Sequence, residues 1–227
     1  MKKLLFLAFF FVILQNLLGQ VTFYPPKIEI SDHTLSKFLT EFTLAVGKKD
    51  SIFIKKHLHP NIFMGFDGDS YGTEAFLERW TFNEPDSKFW KLMEQLLKIG
   101  LPSYPENSNR YTIPYTFSDW EKQDSIYDPY SYAVITGKNV NLRDAPSLES
   151  SIVGQLEYDL VELLNDQSTS SESNFLGGYL WHYICTVDGA KCGYVYWTYV
   201  VSPVRDFRMV FEKIDEKWWI KILTQGD

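Results

Sequence analysis

The spacing of apolar positions divides the chain into two regions with different periods. Over residues 32–100 the apolar residues recur at intervals of three and four, which is typical of helices that bury one face. From Tyr132 onward, apolar and polar residues alternate, as they do in half-buried strands. The sequence therefore predicts an α+β protein in which a helical region precedes a run of short strands.

Four helices are expected in the first region, each beginning at a residue that can cap or start it: Asp32, Asp50, Thr73, and Asp86 or Ser87. Helix-breaking residues mark the expected ends of three of them: Gly47, Pro60 and Gly100. The segment NIFMGF, residues 61–66, favours a strand. Residues 101–130 are rich in Pro, Tyr and Ser and predict irregular structure with one short strand at RYTIPYTF.

The second region predicts five short strands separated by turn residues. Their spacing is typical of a small β-barrel, which would occupy residues 132–203. A Ser-rich stretch, residues 165–178, is expected to form a loop within it. Residues 204–227 predict a hairpin with Asp215 near its turn. We therefore expect a small barrel inserted between an N-terminal helical segment, residues 32–131, and a C-terminal β-hairpin that completes the helical domain.

Residues 1–20 have the three-part pattern of a secretory signal peptide. A basic start precedes an unbroken apolar run, residues 4–14, and a polar break and Gly19 follow. A membrane-spanning helix needs about 20 apolar residues, so the short run favours cleavage over retention. Residues 21–31 contain two adjacent prolines and predict an extended linker. The mature protein is expected to be periplasmic or secreted, with no stable membrane span after cleavage.

Acidic residues outnumber basic ones by 29 to 22, which gives the chain a formal net charge of −7. Two of the lysines lie in the predicted signal peptide, and the remaining basic residues form no cluster along the sequence. Binding to a phosphate backbone requires such a cluster, so no nucleic-acid partner is expected. Aromatic residues make up 17% of the chain and many of them follow residue 179, which calls for a packing or a binding role.

The two cysteines, Cys185 and Cys192, flank a hairpin signal. Asp188 and Gly189 are typical of a two-residue type I′ turn, which needs positive φ at both positions. That turn would place the cysteines opposite each other with their Cα atoms about 4.5–5.5 Å apart, a separation that suits a disulfide. An oxidising compartment would favour the bond. The alternative is a pair of reduced, half-buried thiols.

Several segments of this second region resemble the bacterial SH3-like (SH3b) domain family. They occur in the family's order: Val140-Asn141-Leu142-Arg143, Pro146-Ser147, Val153-Gly154, Trp181-His182-Tyr183-Ile184, Gly193-Tyr194-Val195 and Tyr199-Val200. Ala145 and Asp159 stand where the family usually has glycine, and Tyr194 stands where it usually has tryptophan. The whole layout is also similar to small exported SH3-domain proteins of Gram-negative bacteria.

The resemblance implies a barrel that binds an extended chain through exposed aromatic side chains, and many SH3b domains bind peptides of the cell wall. The candidate ligand-binding residues are Trp181, Tyr183, Tyr194, Tyr196, Trp197 and Tyr199. Strand alternation places Tyr194 and Tyr196 on one face and Val195 and Trp197 on the other. If Val195 lies in the core, the two tyrosines are the exposed pair. The alternative is that these rings only fill the barrel and its contact with the terminal hairpin.

Patterns for metal binding and catalysis are weak. Residues 67–78 resemble a calcium loop, but Tyr71 and Glu74 occupy unsuitable positions, and a strand rather than a helix is expected before them. No zinc-binding spacing occurs among the four histidines: His33, His57, His59 and His182. The sequence also contains no nucleophile, phosphate-loop or dinucleotide-binding motif. We therefore expect no metal, no cofactor and no enzyme activity.

The favoured hypothesis is an exported, non-catalytic binding or adaptor protein whose partner is a peptidoglycan peptide or an envelope protein. A second hypothesis is an enzyme or small-ligand binder with a pocket between the helical segment and the C-terminal hairpin. Its polar groups would be Asp67, Asp69 or Glu74. A third hypothesis is a purely structural module.

Overall fold

The computed structural model describes residues 21–27, 30–65, 71–84, 86–101, 109–120, 127–164, 178–203 and 205–225. The described residues divide into two compact units. The four-stranded unit comprises the described parts of residues 25–130 and 202–225. The seven-stranded unit comprises residues 21–24 and the described parts of 131–201.

Helices and strands both contribute to the described residues. The helices are α1 (His33–Lys48), α2 (Ser51–His57), α3 (Thr73–Arg79), α4 (Lys88–Ile99) and α5 (Tyr115–Trp120). The strands are β1 (Leu58–Phe63), β2 (Arg110–Ile113), β3 (Tyr132–Ile135), β4 (Val140–Arg143), β5 (Ile152–Leu156), β6 (Leu160–Leu163), β7 (Trp181–Thr186), β8 (Cys192–Tyr196), β9 (Val200–Val201), β10 (Phe207–Ile214) and β11 (Lys217–Gln225). The predicted α+β class is confirmed.

Side-chain caps fix the starts of three helices. Asp32 and Asp50 each accept hydrogen bonds from two backbone N–H groups of the first helical turn, and Ser87 accepts one. These caps lie where the sequence places them. The end of α1 differs, because Lys49 adopts the left-handed conformation with φ 52° and closes the helix two residues beyond Gly47.

Other element boundaries also depart from the sequence prediction. Gly72, with φ 99°, precedes α3, so Thr73 is the first helical residue and not the cap. Helix α2 ends at His57, and Pro60 lies inside β1 instead of ending the helix. Proline has no backbone N–H to donate, and it is tolerated here because β1 is an edge strand, where a residue on the outer side needs no ladder hydrogen bond. Helix α5 forms within the stretch expected to be irregular.

The four-stranded sheet has the order β1-β11-β10-β2. Strands β10 and β11 form the expected C-terminal hairpin, in which Ile214 pairs with Lys217. Asp215 and Glu216, with φ of 48° and 59°, make its two-residue turn. Strand β1 is parallel to β11, and β2 is antiparallel to β10.

Aromatic side chains form the core between this sheet and α1. Phe211 of β10 is fully buried, and its ring centre lies 5.2 Å from that of Phe38 and 5.0 Å from that of Phe42. Trp218 of β11 stacks against Phe38 at 6.3 Å. The apolar stripe predicted for α1 is therefore buried against large aromatic rings, whose contact area dominates such a core.

The seven-stranded sheet has the order β5-β4-β8-β7-β6-β3-β9, with antiparallel neighbours throughout. Every strand contributes to one aliphatic core cluster: Ala133, Ile135, Val140, Leu142, Leu156, Val161, Leu163, Ile184, Val195 and Val200. Within the described residues neither sheet of the protein closes into a barrel. The small SH3-like β-barrel thus remains a prediction.

Candidate binding surface

Aromatic side chains line the outer face of the hairpin formed by β7 and β8. Trp181 pairs with Tyr196, and Tyr183 pairs with Tyr194. Residues paired in this way share one face of a sheet. The rings of each pair meet edge to face, with centres 5.3 Å apart in the first pair and 4.9 Å apart in the second, a geometry that favours both pairs.

Aliphatic side chains fill the opposite face of the same hairpin. Ile184 and Val195 are fully buried members of the core cluster. Tyr194 and Tyr196 alternate with Val195 along β8 and are half-buried on the outer face. The tyrosine rings therefore lie on the face of the sheet opposite the aliphatic core cluster.

The six aromatic residues predicted from the sequence differ in exposure. Three are half-buried on the outer face of the hairpin: Tyr183, Tyr194 and Tyr196. Trp181 and Trp197 are only 4% and 8% exposed, so they offer little surface to a ligand. Tyr199 is 36% exposed and lies in the 3₁₀ turn that follows β8, beside Gly137.

Glycine at position 193 allows β4 to approach β8 closely. A Cβ atom on Gly193 would lie 2.5 Å from the carbonyl oxygen of Arg143 and 3.0 Å from the side chain of Leu142. This approach pairs Arg143 with Tyr194. Arg143 Nη1 in turn donates a hydrogen bond to the carbonyl of Ser150 at 2.6 Å. The close approach of the two strands thus explains why position 193 is a glycine.

The loop between β4 and β5, residues 144–151, is tied together by its own serines. Ser150 Oγ lies 2.8 Å from the carbonyl oxygen of Ala145 and 2.7 Å from that of Ser147. The Ser147 hydroxyl donates to the Glu149 carboxylate and lowers its pKa below the usual value. The polar loop is therefore a hydrogen-bonded turn beside the aromatic face.

Two exposed apolar side chains extend this face, and the sequence analysis did not assign them to it. Ile152 and Val153 are each 52% exposed. Leu142 pairs with Gly154 but Arg143 pairs with Ile152, so Val153 is the extra residue of a β-bulge. The bulge breaks the alternation and leaves both side chains in water. The sequence signal that could have indicated this bulge is a pair of adjacent apolar residues before a glycine.

Four of these residues form a continuous row across four adjacent strands. Ile152 pairs with Arg143, Arg143 with Tyr194, and Tyr194 with Tyr183. We call this set the Tyr194 row. Because neighbouring strands lie about 4.8 Å apart, the row is about 14 Å long. It presents an apolar, a cationic and two aromatic side chains in succession.

The cysteine pair predicted for this hairpin is present, with Cys185 and Cys192 joined in a disulfide and their Cα atoms 4.1 Å apart. The turn differs from the expected type I′ turn, because Gly189 has positive φ, at 68°, but Asp188 does not. Asp188 Oδ1 instead accepts hydrogen bonds from Thr186 Oγ1 at 2.6 Å and from a loop N–H at 3.0 Å. These bonds lower the Asp188 pKa and support a four-residue loop, residues 187–190.

The structure describes only some of the residues considered for calcium or catalysis. Asp67 and Asp69 lie outside the described residues, and Glu74 is exposed on α3. Most of the Ser-rich stretch, residues 165–177, and the predicted signal peptide also lie outside them. No three His, Cys, Asp or Glu residues of the described ranges are grouped so that they could hold a metal ion. Across those same ranges, no helix has the length and apolar character needed to cross a membrane.

No family model, curated protein or solved structure matches the chain. Fold and surface together define an α+β protein whose seven-stranded unit carries aromatic side chains outside an aliphatic core.

Proposed function

We propose that the protein is an exported, non-catalytic binding or adaptor protein whose seven-stranded unit is an SH3b-like module. On this proposal the Tyr194 row holds an extended peptide. The observation that carries the proposal is the half-buried ring pair of Tyr183 and Tyr194 on the sheet face opposite the aliphatic core cluster. Partly exposed rings in such a position can anchor a ligand, and tyrosine is enriched at such contacts.

Several observations support the SH3-like character and the export of this unit. The first and last strands of the sheet, β5 and β9, contribute Leu156 and Val200 to one core cluster, as a strongly curled sheet would. The disulfide favours an oxidising compartment outside the cytosol. The leader-like pattern of residues 1–20 favours the same destination.

The chemistry of the Tyr194 row fits a peptide that carries a carboxylate. Arg143 lies between apolar Ile152 and aromatic Tyr194, and a guanidinium recognises carboxylates through paired N–H donors. Peptidoglycan peptides are short, extended and rich in carboxylates, so they are the first ligand to test. A segment of an envelope protein with the same features is the second.

Sedimentation with purified peptidoglycan sacculi tests the proposal. The protein lacking residues 1–20 is compared with the double variant Tyr183→Ala/Tyr194→Ala. Loss of two aromatic anchors, at about 1–2 kcal/mol each, should weaken retention by about tenfold or more. Tyr130→Ala is the matched control, because it removes a tyrosine that is 58% exposed on the four-stranded unit.

Co-sedimentation of the wild type and the control, but not of the double variant, would support a cell-wall ligand at the Tyr194 row. If the wild type does not sediment, chemical crosslinking in an envelope extract tests the protein-partner alternative with the same variants. The proposal fails if neither sacculi nor any envelope protein is retained above background. It also fails if the double variant is retained as well as the wild type.

A further inference from the structure

Two lysines of β11 are held in place by partners that carry no negative charge. Lys217 Nζ lies 3.4 Å from the ring centre of Trp219 and donates a hydrogen bond to the backbone carbonyl of Lys56 at 2.9 Å. Lys221 Nζ lies 3.1 Å from Nδ1 of His59. The His59 and Trp219 rings meet edge to face with centres 5.7 Å apart. These five residues form one group, which we call the lysine cluster.

Strand geometry explains why residues so distant in sequence meet here. Lys217 and Trp219 are alternate residues of β11 and lie on the same face of the four-stranded sheet. Val210 pairs with Ile222 but Phe211 pairs with Ile220, so Lys221 is the extra residue of a β-bulge, and its contact with His59 brings its ammonium group to this face. The intervening residues, Trp218 and Ile220, are buried. Strand β1 is the parallel neighbour of β11 and brings His59 to that face. The lysines, Trp219 and His59 are all half-buried.

The lysine cluster lacks a paired carboxylate. Among the described residues no carboxylate lies within ion-pair distance of Lys217 or Lys221. Desolvation and the neighbouring Lys56 lower the Lys217 pKa, and desolvation and Lys221 lower the His59 pKa. Glu212 of β10, which pairs with Trp219, raises the His59 pKa, but the two effects that lower this pKa are larger.

Contacts with neighbouring groups restrict the positions of the Lys217 and Lys221 ammonium groups. An exposed lysine ordinarily extends its ammonium group into water. Here Trp219 and a backbone carbonyl hold one ammonium group, and the other lies against the His59 ring, 3.1 Å from Nδ1 and 3.4 Å from Nε2. The N–H of Asn61 donates to His59 Nδ1 at 3.0 Å, so the neutral ring carries its proton on Nε2. Fixed cations on a partly desolvated face, in a chain of net charge −7, are typical of a prepared anion site.

We propose that the lysine cluster binds a small oxyanion, a carboxylate or a phosphate group, through the ammonium groups of Lys217 and Lys221. A bound anion would place a compensating negative charge beside these partly desolvated ammonium groups. This site belongs to the four-stranded unit and is independent of the proposed peptide binding by the Tyr194 row.

Two-dimensional ¹H–¹⁵N NMR of the protein lacking residues 1–20 tests the proposal through the indole N–H of Trp219. That signal is assigned by its loss in Trp219→Phe. Sodium phosphate and sodium succinate are titrated separately, with sodium chloride at matched ionic strength as the reference. We expect a saturable shift with phosphate, with succinate or with both. A response to only one of the salts identifies the chemistry of the anion.

The variants decide whether the lysines cause the shift. Lys217→Met/Lys221→Met should weaken binding by about tenfold or more, because each lysine supplies a charge-assisted contact. Lys37→Met should bind as the wild type does, since it removes an exposed lysine of α1 whose nearest described acid is Glu41, 3.9 Å away. Lys221→Met alone should show an intermediate loss. Equal shifts with chloride and with the oxyanion salts, or undiminished binding by the double variant, would overturn the proposal.

Discussion

The two units of the protein use aromatic residues in opposite ways. In the four-stranded unit, Phe38, Phe42 and Phe211 fill the space between a helix and the sheet. In the seven-stranded unit the core cluster is aliphatic, and Tyr183 and Tyr194 pair on its outer face. The high aromatic content therefore has two causes, and only the second places a pair of rings on the face opposite the core cluster. Position relative to a core predicts binding better than aromatic content does.

Removing a ring from the aromatic core should have the largest effect. Phe211→Ala should lower the free energy of unfolding of the four-stranded unit by about 3–5 kcal/mol, because it leaves a cavity against α1. Hydrogen exchange of the amides of each unit measures the loss separately. Phe211→Leu, which fills most of the space, should cost about 1.5 kcal/mol or less. A loss below about 1 kcal/mol for the alanine variant would contradict the aromatic core.

Breaking the disulfide should have the next largest effect, confined to the seven-stranded unit. Cys185→Ser/Cys192→Ser should cost about 2.5 kcal/mol, the loop-closure value for a bond whose cysteines are seven residues apart. Denaturant unfolding with and without a reducing agent measures it. The reducing agent should destabilise the wild type and leave the double variant unchanged. Equal stability of the two proteins under oxidising conditions would show that the bond contributes nothing.

Asp206, a half-buried residue whose carboxyl is desolvated, should make the stability of the four-stranded unit depend on pH. Burial raises the pKa of Asp206 to about 6, although its Oδ2 accepts a hydrogen bond from Ser202 N at 2.6 Å. Because the folded protein holds this proton more tightly than the unfolded chain, the group favours folding most below pH about 4. That contribution is lost as the pH rises through about 6.

Asp206→Asn isolates this effect, since the amide oxygen can still accept the hydrogen bond. From pH 4 to pH 8 the wild type should lose about 1–3 kcal/mol of unfolding free energy relative to the variant. Urea unfolding at both pH values measures it. A difference that does not change with pH would show that Asp206 titrates normally in the folded protein.

Local features of the fold were predictable because their signals lie within a few residues. The caps Asp32, Asp50 and Ser87 precede clear helical periods, and the opposed cysteines follow from a hairpin between short strands. Alternation along β8 also separated the outer tyrosines from buried Val195. Each of these features depends on neighbouring residues alone.

Features that depend on strand pairing were not predictable. The lysine cluster joins His59 to Lys221 through the parallel pairing of β1 with β11, which no local pattern specifies. The exposed Ile152 and Val153 depend on a bulge in the β4–β5 register. Asp188 was expected at positive φ, but its side-chain hydrogen bonds favour a longer loop. Pairing between strands decided the first two outcomes, and local side-chain hydrogen bonds decided the third.

The smallest expected effect is the difference in stability, about 1–2 kcal/mol, between variants of two adjacent residues of β8, and it tests the central claim most directly. Tyr194 faces outward and is half-buried, whereas Val195 faces the core and is fully buried. The measurement is the free energy of unfolding of the seven-stranded unit for Tyr194→Ala and for Val195→Ala. We predict a loss of about 2–3 kcal/mol for the valine variant and about 1 kcal/mol for the tyrosine variant, although tyrosine loses more atoms. The opposite order would show that Tyr194 supports the core and would contradict the binding role proposed for the Tyr194 row.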